Sequence, residues 1–462
     1  MSARQFEVTN PATGSVIDTV PDLSQDEILA EVGRAHSAFS RWRHVPPRQR
    51  AEILQDAHRR MIDDAQRLTD LIVAENGKSQ KDAEAEVRYA AEFFRWYAEE
   101  AVRLSGEYTM APAGGVRNVV TRHPVGVALL ITPWNFPAAM ATRKLGPALA
   151  AGCTVVLKPA GETPLTALAI AEILYAAGVP EDAVRVVTTT GTRTVVPAVL
   201  ADDRVRKLSF TGSTGVGRGL LAECAKRVVN ASLELGGNAP FIVTADADVD
   251  AAVEGAMIAK FRNSGQACTA ANRFYVHQDV LAEFQEKFAR GIRGLTVGDP
   301  AGDAQIGPMI HESAAEDIRG LIALAQEQGA EIAAQAQVPE GLSSAFVAPT
   351  LLTGVAEDAD ILKQEIFGPV APVVSWAETE EVIAWANDAE VGLSSYVYSG
   401  NLQRAMRIAE RLEAGMVGIN RGIVSDPSAP FGGVKQAGLG REGGSFGIEE
   451  FTEVQYLSVD WS

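Results

Sequence analysis

Cys268 lies in Asn263-Ser264-Gly265-Gln266-Ala267-Cys268-Thr269-Ala270, among small and polar residues just after a helix-like run. That setting suits a thiol presented in a turn, where it can act as a nucleophile. Taken alone, a buried inert thiol is the better reading, as it is for Cys153 in a strand and Cys224 in a helix. Glu234, in Leu233-Glu234-Leu235-Gly236-Gly237, stands between apolar residues at a strand end, before two glycines that admit close backbone approach. Desolvation there raises a carboxylate toward the working range of a general base; a charged residue at a sheet edge is the equal alternative. Asn135, in Thr132-Pro133-Trp134-Asn135-Phe136-Pro137, is an amide held between two prolines. It is either a rigid donor for an oxyanion or an Asn completing a turn.

Three further stretches could hold a nucleotide. Phe210-Thr211-Gly212-Ser213-Thr214-Gly215-Val216-Gly217 follows a strand and opens a helix, where backbone N–H groups would face a pyrophosphate. It misses G-x-G-x-x-G because the third glycine is out of place, so the loop alone is a weak signal. Lys158-Pro159-Ala160-Gly161 ends another strand with a cation and close backbone access, at the edge where parallel sheets bind ligands. Glu365-Ile366-Phe367-Gly368-Pro369 adds a carboxylate and an aromatic face able to grip a ribose and a flat ring.

The elements that must position these groups follow from periodicity. The first hundred residues read as helices: one after the Ser24/Glu27 capping box, one from about Arg48 to Glu75, and one from about Ser79 to Leu104. The Phe93, Phe94, Trp96 and Tyr97 cluster of the third reads as core. From Val125 strands alternate with helices, at about 125–132, 153–158, 184–187, 207–210, 232–234 and 241–243, which implies doubly wound parallel sheets. Residues 106–121, with Gly114-Gly115 at the centre, read as a projecting hairpin that meets another subunit.

Composition excludes other classes. The chain has 462 residues, 47% hydrophobic and 22% charged, which rules out a disordered or fibrous protein. With 41 Lys+Arg against 59 Asp+Glu the net charge is −18, which argues against nucleic acid or an anionic membrane as partner. Three cysteines without CxxC spacing argue against a disulfide framework or a cysteine metal site and fit a reducing compartment. Neither an apolar leader nor an unbroken apolar span of about 20 residues occurs, so a cytoplasmic protein is expected.

Taken together these residues resemble the aldehyde dehydrogenase superfamily from end to end, and within it the NADP-type succinate-semialdehyde dehydrogenases. The most specific stretch is Pro430-Phe431-Gly432-Gly433-Val434-Lys435-Gln436-Ala437-Gly438-Leu439-Gly440-Arg441-Glu442-Gly443, paired with Thr142-Arg143-Lys144 and Phe261-Arg262-Asn263. The resemblance implies an α/β fold with two doubly wound parallel-sheet domains and a small β oligomerisation element. It implies a dinucleotide-binding domain at 1–103 and 126–236, a catalytic domain at 237–436, and an oligomerisation element at 104–125 and 437–462. A homodimer or homotetramer is expected.

The same resemblance assigns the nucleophile to Cys268, the general base to Glu234 and the oxyanion amide to Asn135. Cofactor contacts fall on Trp134, Asn135, Lys158, Pro159, Ala160, Gly161, Gly212, Ser213, Leu235, Glu365 and Phe367. Arg143, Arg262 and Ser425 match the positions that bind a substrate carboxylate; no metal is needed. NADP is expected as cofactor, with NAD possible in its place: Gly161 stands where a carboxylate would repel a 2′-phosphate, although Glu162 follows it. Related enzymes often carry a second cysteine where Ala270 stands, so a disulfide switch is not expected. Arg421, near Ser425, is either part of the anion site or a solvated charge. The activity implied is oxidation of succinate semialdehyde to succinate, with glutarate semialdehyde or a plain aliphatic aldehyde as the alternative. An acylating enzyme of the same fold is disfavoured by the presence of Glu234.

Overall fold

The computed structural model describes residues 4–461. Residues 1–3 and 462, which close the expected domain boundaries, lie outside the described residues. Two departures from the helical expectation occur early in the chain. A hairpin, β1 (Gln5–Thr9) and β2 (Val16–Pro21), precedes the first helix. Only Val8 and Val20 of these strands are buried, so their alternation is too short to stand out. After α1 (Gln25–Trp42), which starts at the expected capping box, the single helix expected at 48–75 is two. α2 (Pro47–Asp63) stops where Asp64 leaves helical geometry at φ −101° and ψ 16°, and α3 (Ala65–Asn76) restarts there. α4 (Gln80–Ala101) buries Phe93, Phe94 and Tyr97, so the aromatic cluster is core.

β3 (Glu107–Met110) and β4 (Val116–Pro124) form the expected hairpin, and the final strand, Thr452–Asp460, pairs antiparallel along the whole of β4. A six-stranded sheet then forms from β5 (Val127–Ile131), β6 (Thr154–Lys158), β7 (Val184–Val186), β8 (Val205–Thr211) and β9 (Asn230–Glu234). Their order is β9-β8-β5-β6-β7, all parallel, with Gly438–Leu439 antiparallel on the β9 edge. The crossover helices are α5 (Pro137–Ala151), α6 (Pro164–Ala176), α7 (Thr192–Ala201) and α8 (Thr214–Ala225). Such runs of buried Val, Leu and Ile are what a sheet covered on both faces requires.

A second sheet of seven strands is built from β10 (Ala239–Val243), β11 (Ala271–His277) and strands at 331–335, 350–353, 370–376, 394–398 and 416–419. All pairings in it are parallel except that of the 331–335 edge strand. α9 (Val249–Phe261) crosses from β10 and delivers the chain to the Cys268 turn. The fold is therefore α/β with two doubly wound, mostly parallel sheets.

Parallel register brings the C-terminal ends of β5, β6 and β8 together: Ile131 pairs with Lys158 on one side and Phe210 on the other. Three helices start from that edge, and two of the three starts are already occupied by carboxylates. Glu86 accepts from the N–H groups of Ala138 (2.9 Å) and Ala139 (3.2 Å) at the head of α5. Glu75 accepts from Leu165 (2.7 Å) and Thr166 (2.9 Å) at the head of α6. α8 has no side-chain cap, which leaves its N–H groups facing the cleft as the open anion position.

The two capping carboxylates differ in one respect. Glu86 is paired with the equally buried Lys78, whereas Glu75 has no cation partner among the described residues. Burial pushes Glu75 up to about 7, against the pull of its hydrogen bonds from Thr166 and Leu165. Glu86→Gln strands a buried ammonium and should cost about 3–5 kcal/mol, while Glu75→Gln should cost about 1 kcal/mol. Urea midpoints of the two variants check this; equal losses would mean that the Lys78 pairing carries no weight.

Candidate active site

The Cys268 turn begins where α9 ends. Asn263 (φ 51°), Ser264 (φ 55°) and Gly265 (φ 77°) are all left-handed, a sequence of conformations that costs energy at the two non-glycine positions. Gly265 is required twice over, because a Cβ there would also sit 2.3 Å from the Gly368 carbonyl oxygen. Hydrogen bonds on every side hold the turn in place. Asn263 N–H donates to Asp82 (2.8 Å), Ser264 and Gly307 bond reciprocally (3.2 and 3.1 Å), and Gln266 accepts from Ile310 N–H (3.0 Å).

The same turn is tied to Asn135 at the head of α5. Asn263 Nδ2 donates to the Asn135 carbonyl (2.8 Å), and Asn135 Nδ2 donates to the Gln266 carbonyl (3.1 Å). Lys78 Nζ donates to that same Asn135 oxygen at 2.7 Å and lies 3.9 Å from the Phe136 ring centre. An amide nitrogen carries two hydrogens, so one N–H of Asn135 remains beyond the Gln266 bond. Lys78 and Glu86 are absent from the sequence reading. Glu86 had one available signal: it falls on the stripe Ala83, Val87, Ala90, Ala91 and Phe94, so helical spacing places it inward.

Cys268 forms the wall between two cavities. On one side a cavity of about 660 Å³ is lined by Trp134, Asn135, Gly212, Ser213, Leu235, Glu365 and Phe367. On the other, one of about 740 Å³ is lined by Tyr89, Phe136, Arg143, Arg262, Ser425 and Phe431, among others. The first cavity opens into a cleft of about 1450 Å³ that shares Trp134, Gly212 and Ser213 and adds Lys158, Ala160 and Gly161. Pro159 contributes its carbonyl, which accepts from Lys158 Nζ at 3.0 Å. Apart from Pro159, the expected cofactor positions line these two adjoining cavities, the smaller of which reaches the thiol.

The walls of these two cavities fit a dinucleotide. The bare head of α8 sits over Gly212 and Ser213, a pyrophosphate position. A Cβ at Gly217 would come 2.4 Å from Leu235 Cδ2, so glycine lets α8 lie against the strand end. Trp134 and Phe367 meet edge to face at 5.5 Å, and a Cβ on Gly236 would lie 2.8 Å from Glu365 Oε2, which fixes that carboxylate beside bare backbone. Burial pushes Glu365 up to about 8, partly countered by Gly237 N–H and Lys260.

The two expected carboxylate-binding arginines have different surroundings. Arg143 is buried, with Nε 2.8 Å from Glu442 Oε2 and its guanidinium 4.0 Å from the Phe431 ring centre. Lys144 pairs with the other oxygen of Glu442 and with Ser209 (2.9 Å). Arg262 is half-buried over Phe136 at 5.2 Å, and no carboxylate lies within ion-pair distance of it among the described residues. Among the described residues, Arg262 is therefore the lining cation without a direct ion pair, although Asp82, which accepts from Asn263 N–H, lines the same cavity. Arg421 is exposed and lies outside the cavity lining.

Electrostatics follow from depth. Burial, then the Glu442 charge, push Glu234 well above the usual carboxylate range, against the pull of Arg143 and Lys144. Burial works on Glu442 too, yet Lys144 and Arg143 hold it below its ordinary value. Cys268 is pushed up to about 12 by burial, with Arg143 opposing and Glu365 and Glu234 reinforcing. The arrangement places the thiol and the Asn135 amide on the lining of one cavity, while Glu234, buried behind it, lines none of the cavities described. Among the described residues no group of three or more His, Cys, Asp or Glu is placed to hold a metal, and no helix is long and apolar enough to cross a membrane.

Comparison with known proteins places the chain in context. A profile of the aldehyde dehydrogenase family matches residues 1–457. The chain is 46% identical over 455 residues to the NADP(+)-dependent succinate-semialdehyde dehydrogenase of Escherichia coli strain K12, covering 98% of this chain and 94% of that one. It is 45% identical over 459 residues to a glutarate-semialdehyde dehydrogenase of Pseudomonas putida, covering 99% and 95%. The crystal structure of succinate-semialdehyde dehydrogenase from Burkholderia pseudomallei superposes with a TM-score of 0.97 at 45% identity, over 99% of this chain and 95% of that one.

A thiol pushed up to about 12 is almost wholly protonated near neutral pH. Iodoacetamide should therefore alkylate Cys268 slowly at pH 7, roughly tenfold faster for each unit of rising pH, since the thiolate is the reacting form. Peptide mass spectrometry separates this site from Cys153 and Cys224, both buried and both pushed up to about 11. A rate plateau near pH 7–8 would show that the resting site already stabilises the thiolate.

Proposed function

The chain belongs to the aldehyde dehydrogenase family, and from that membership and its site we propose that it oxidises succinate semialdehyde to succinate with NADP as preferred cofactor. The observation that carries this reading is Cys268 at the junction of a dinucleotide-shaped channel and a cavity whose one unpaired cation is Arg262.

Each residue then has one task. Cys268 passes its proton to water and on to solvent, and its sulfur adds to the aldehyde carbon, while the remaining N–H of Asn135 and the Cys268 backbone N–H donate to the oxygen as it gains charge. The bound dinucleotide supplies the hydride acceptor, since no side chain can take that role. Cys268 is left holding the acyl group as a thioester. Glu234, as carboxylate, takes a proton from water; the hydroxide adds to the acyl carbon, the C–S bond breaks, and sulfur leaves as the thiolate. Burial and the Glu442 charge raise Glu234, which makes its carboxylate a stronger base for this step. Gly212, Ser213 and the head of α8 would hold the pyrophosphate, Glu365 a ribose hydroxyl, and Lys158 the adenosine end.

At the far end of the substrate, Arg262 and Ser425 take the carboxylate, and the Arg143 guanidinium, already balanced by Glu442, shapes the wall with Phe431. One methylene changes binding by only about 1–3 kcal/mol, so glutarate semialdehyde remains the second substrate to assay. In this reading residues 1–103 and 126–236 bind the dinucleotide, 237–436 carry the nucleophile, and 104–125 with 437–462 join subunits. Exposed Tyr108, Met110, Val454 and Tyr456 on the three-stranded sheet, with Trp461 just beyond it, support that assembly into a dimer or tetramer. A cytoplasmic setting suits a nucleophile that must stay a free thiol.

Arg262 is the test of the substrate assignment. Losing a charge-assisted bond of about 1.5–3 kcal/mol should lower kcat/KM for succinate semialdehyde about 10- to 150-fold in Arg262→Ala. Butanal, which has the same carbon count and no carboxylate, should lose little. Equal losses for both aldehydes would make Arg262 structural and favour a plain aliphatic aldehyde as substrate.

A further inference from the structure

We propose that His311 sets the cofactor preference, by holding Glu162 in a cross-cleft ion pair that removes a repelling carboxylate from the ribose 2′-phosphate. This rests on the reading of the channel as a dinucleotide site. Glu162 follows Gly161 in the turn between β6 and α6, and its Oε1 lies 3.2 Å from His311 Nε2. His311 comes from the other side of the cleft, as the residue that begins the helix Glu312–Glu327. Both residues line the same cleft as Lys158, Ala160 and Gly161.

The charge inventory of that cleft makes the pair consequential. Glu7, Glu75 and Glu162 line it against only Lys158 and His311. Glu75 is spent on the head of α6, and Glu7 lies on the exposed face of β1. Lys158 keeps two hydrogens beyond its bond to the Pro159 carbonyl. Gly161 offers empty space, since a Cβ there would meet only Phe6, at 4.0 Å. Glu162 is therefore the one carboxylate of this turn able to act on a 2′ substituent. Lys158 attracts it at longer range, and bonded to a protonated His311 its charge is offset; released from His311, it would repel a phosphate more strongly and could accept a hydrogen bond from a 2′-hydroxyl. The hydrogen bond between them holds Glu162 below its ordinary value and His311 above its own, so each partner favours the charged form of the other.

A plain strut closing the cleft would have a different signature, because both cofactors would then lose affinity together. Isothermal titration of the full chain with NADP+, NAD+ and adenosine 2′,5′-bisphosphate separates the two. His311→Ala should weaken NADP+ and the bisphosphate roughly tenfold and leave NAD+ within about twofold, as expected for one uncompensated charge at close range. Adding Glu162→Gln to His311→Ala should restore NADP+ binding. An unchanged NADP+/NAD+ ratio in His311→Ala, a parallel loss of both, or no rescue by the second substitution would overturn the proposal. Failure of the unaltered protein to bind either dinucleotide would instead overturn the oxidoreductase reading on which it rests.

Discussion

The carbonyl oxygen of Asn135 is where the two halves of the molecule are pinned together. It accepts from Lys78 at 2.7 Å, on the helical side, and from Asn263 at 2.8 Å, on the nucleophile turn. The Asn135 side chain returns a bond to Gln266, two residues before Cys268. Amide donor and thiol are therefore fixed relative to each other by main chain as well as side chain. Such a turn, with two non-glycine residues left-handed, persists only because its neighbours over-determine it. The buried Lys78–Glu86 pair extends the same constraint to α5, whose head it occupies.

Burial sets the chemistry once that geometry exists. Cys268 and Glu234 are both kept away from their charged forms by the interior, and the Glu234 charge adds to the effect on Cys268. Glu442 is the exception because Arg143 and Lys144 close on it. A chain of net charge −18 repels anions at long range, so an anionic aldehyde must be drawn in by something local. Arg262 is the cation left over in the inner cavity after Glu442 has claimed Arg143.

Much of this was legible in the chain. Strand–helix alternation from Val125 onward gave the parallel sheets, because buried β strands and crossover helices have distinct periods and lengths. Cys268, Glu234 and Asn135 stood out because each residue type is unusual in its immediate company of small, apolar or proline residues. Pairings across the fold were not legible. Lys144 and Glu442 are 298 positions apart, and Glu162 and His311 are 149 apart, so no local pattern links them. The expectation that Arg143 and Arg262 act alike came from the family resemblance; only the tertiary structure shows which one has a carboxylate against it. The β1–β2 hairpin escaped because its sequence alternates too briefly, and the break at Asp64 because an aspartate in a helical run carries no obligatory stop.

The central claim is that Cys268 carries the acyl group and Glu234 releases it. The most direct measurement is a rapid-mixing experiment on Glu234→Gln with succinate semialdehyde and NADP+, followed by acid quench and intact-mass analysis. The account predicts one equivalent of NADPH per site, then arrest, with the acyl mass found on the Cys268 peptide. Steady turnover at the rate of the unaltered enzyme, or arrest with no mass added to Cys268, would contradict it.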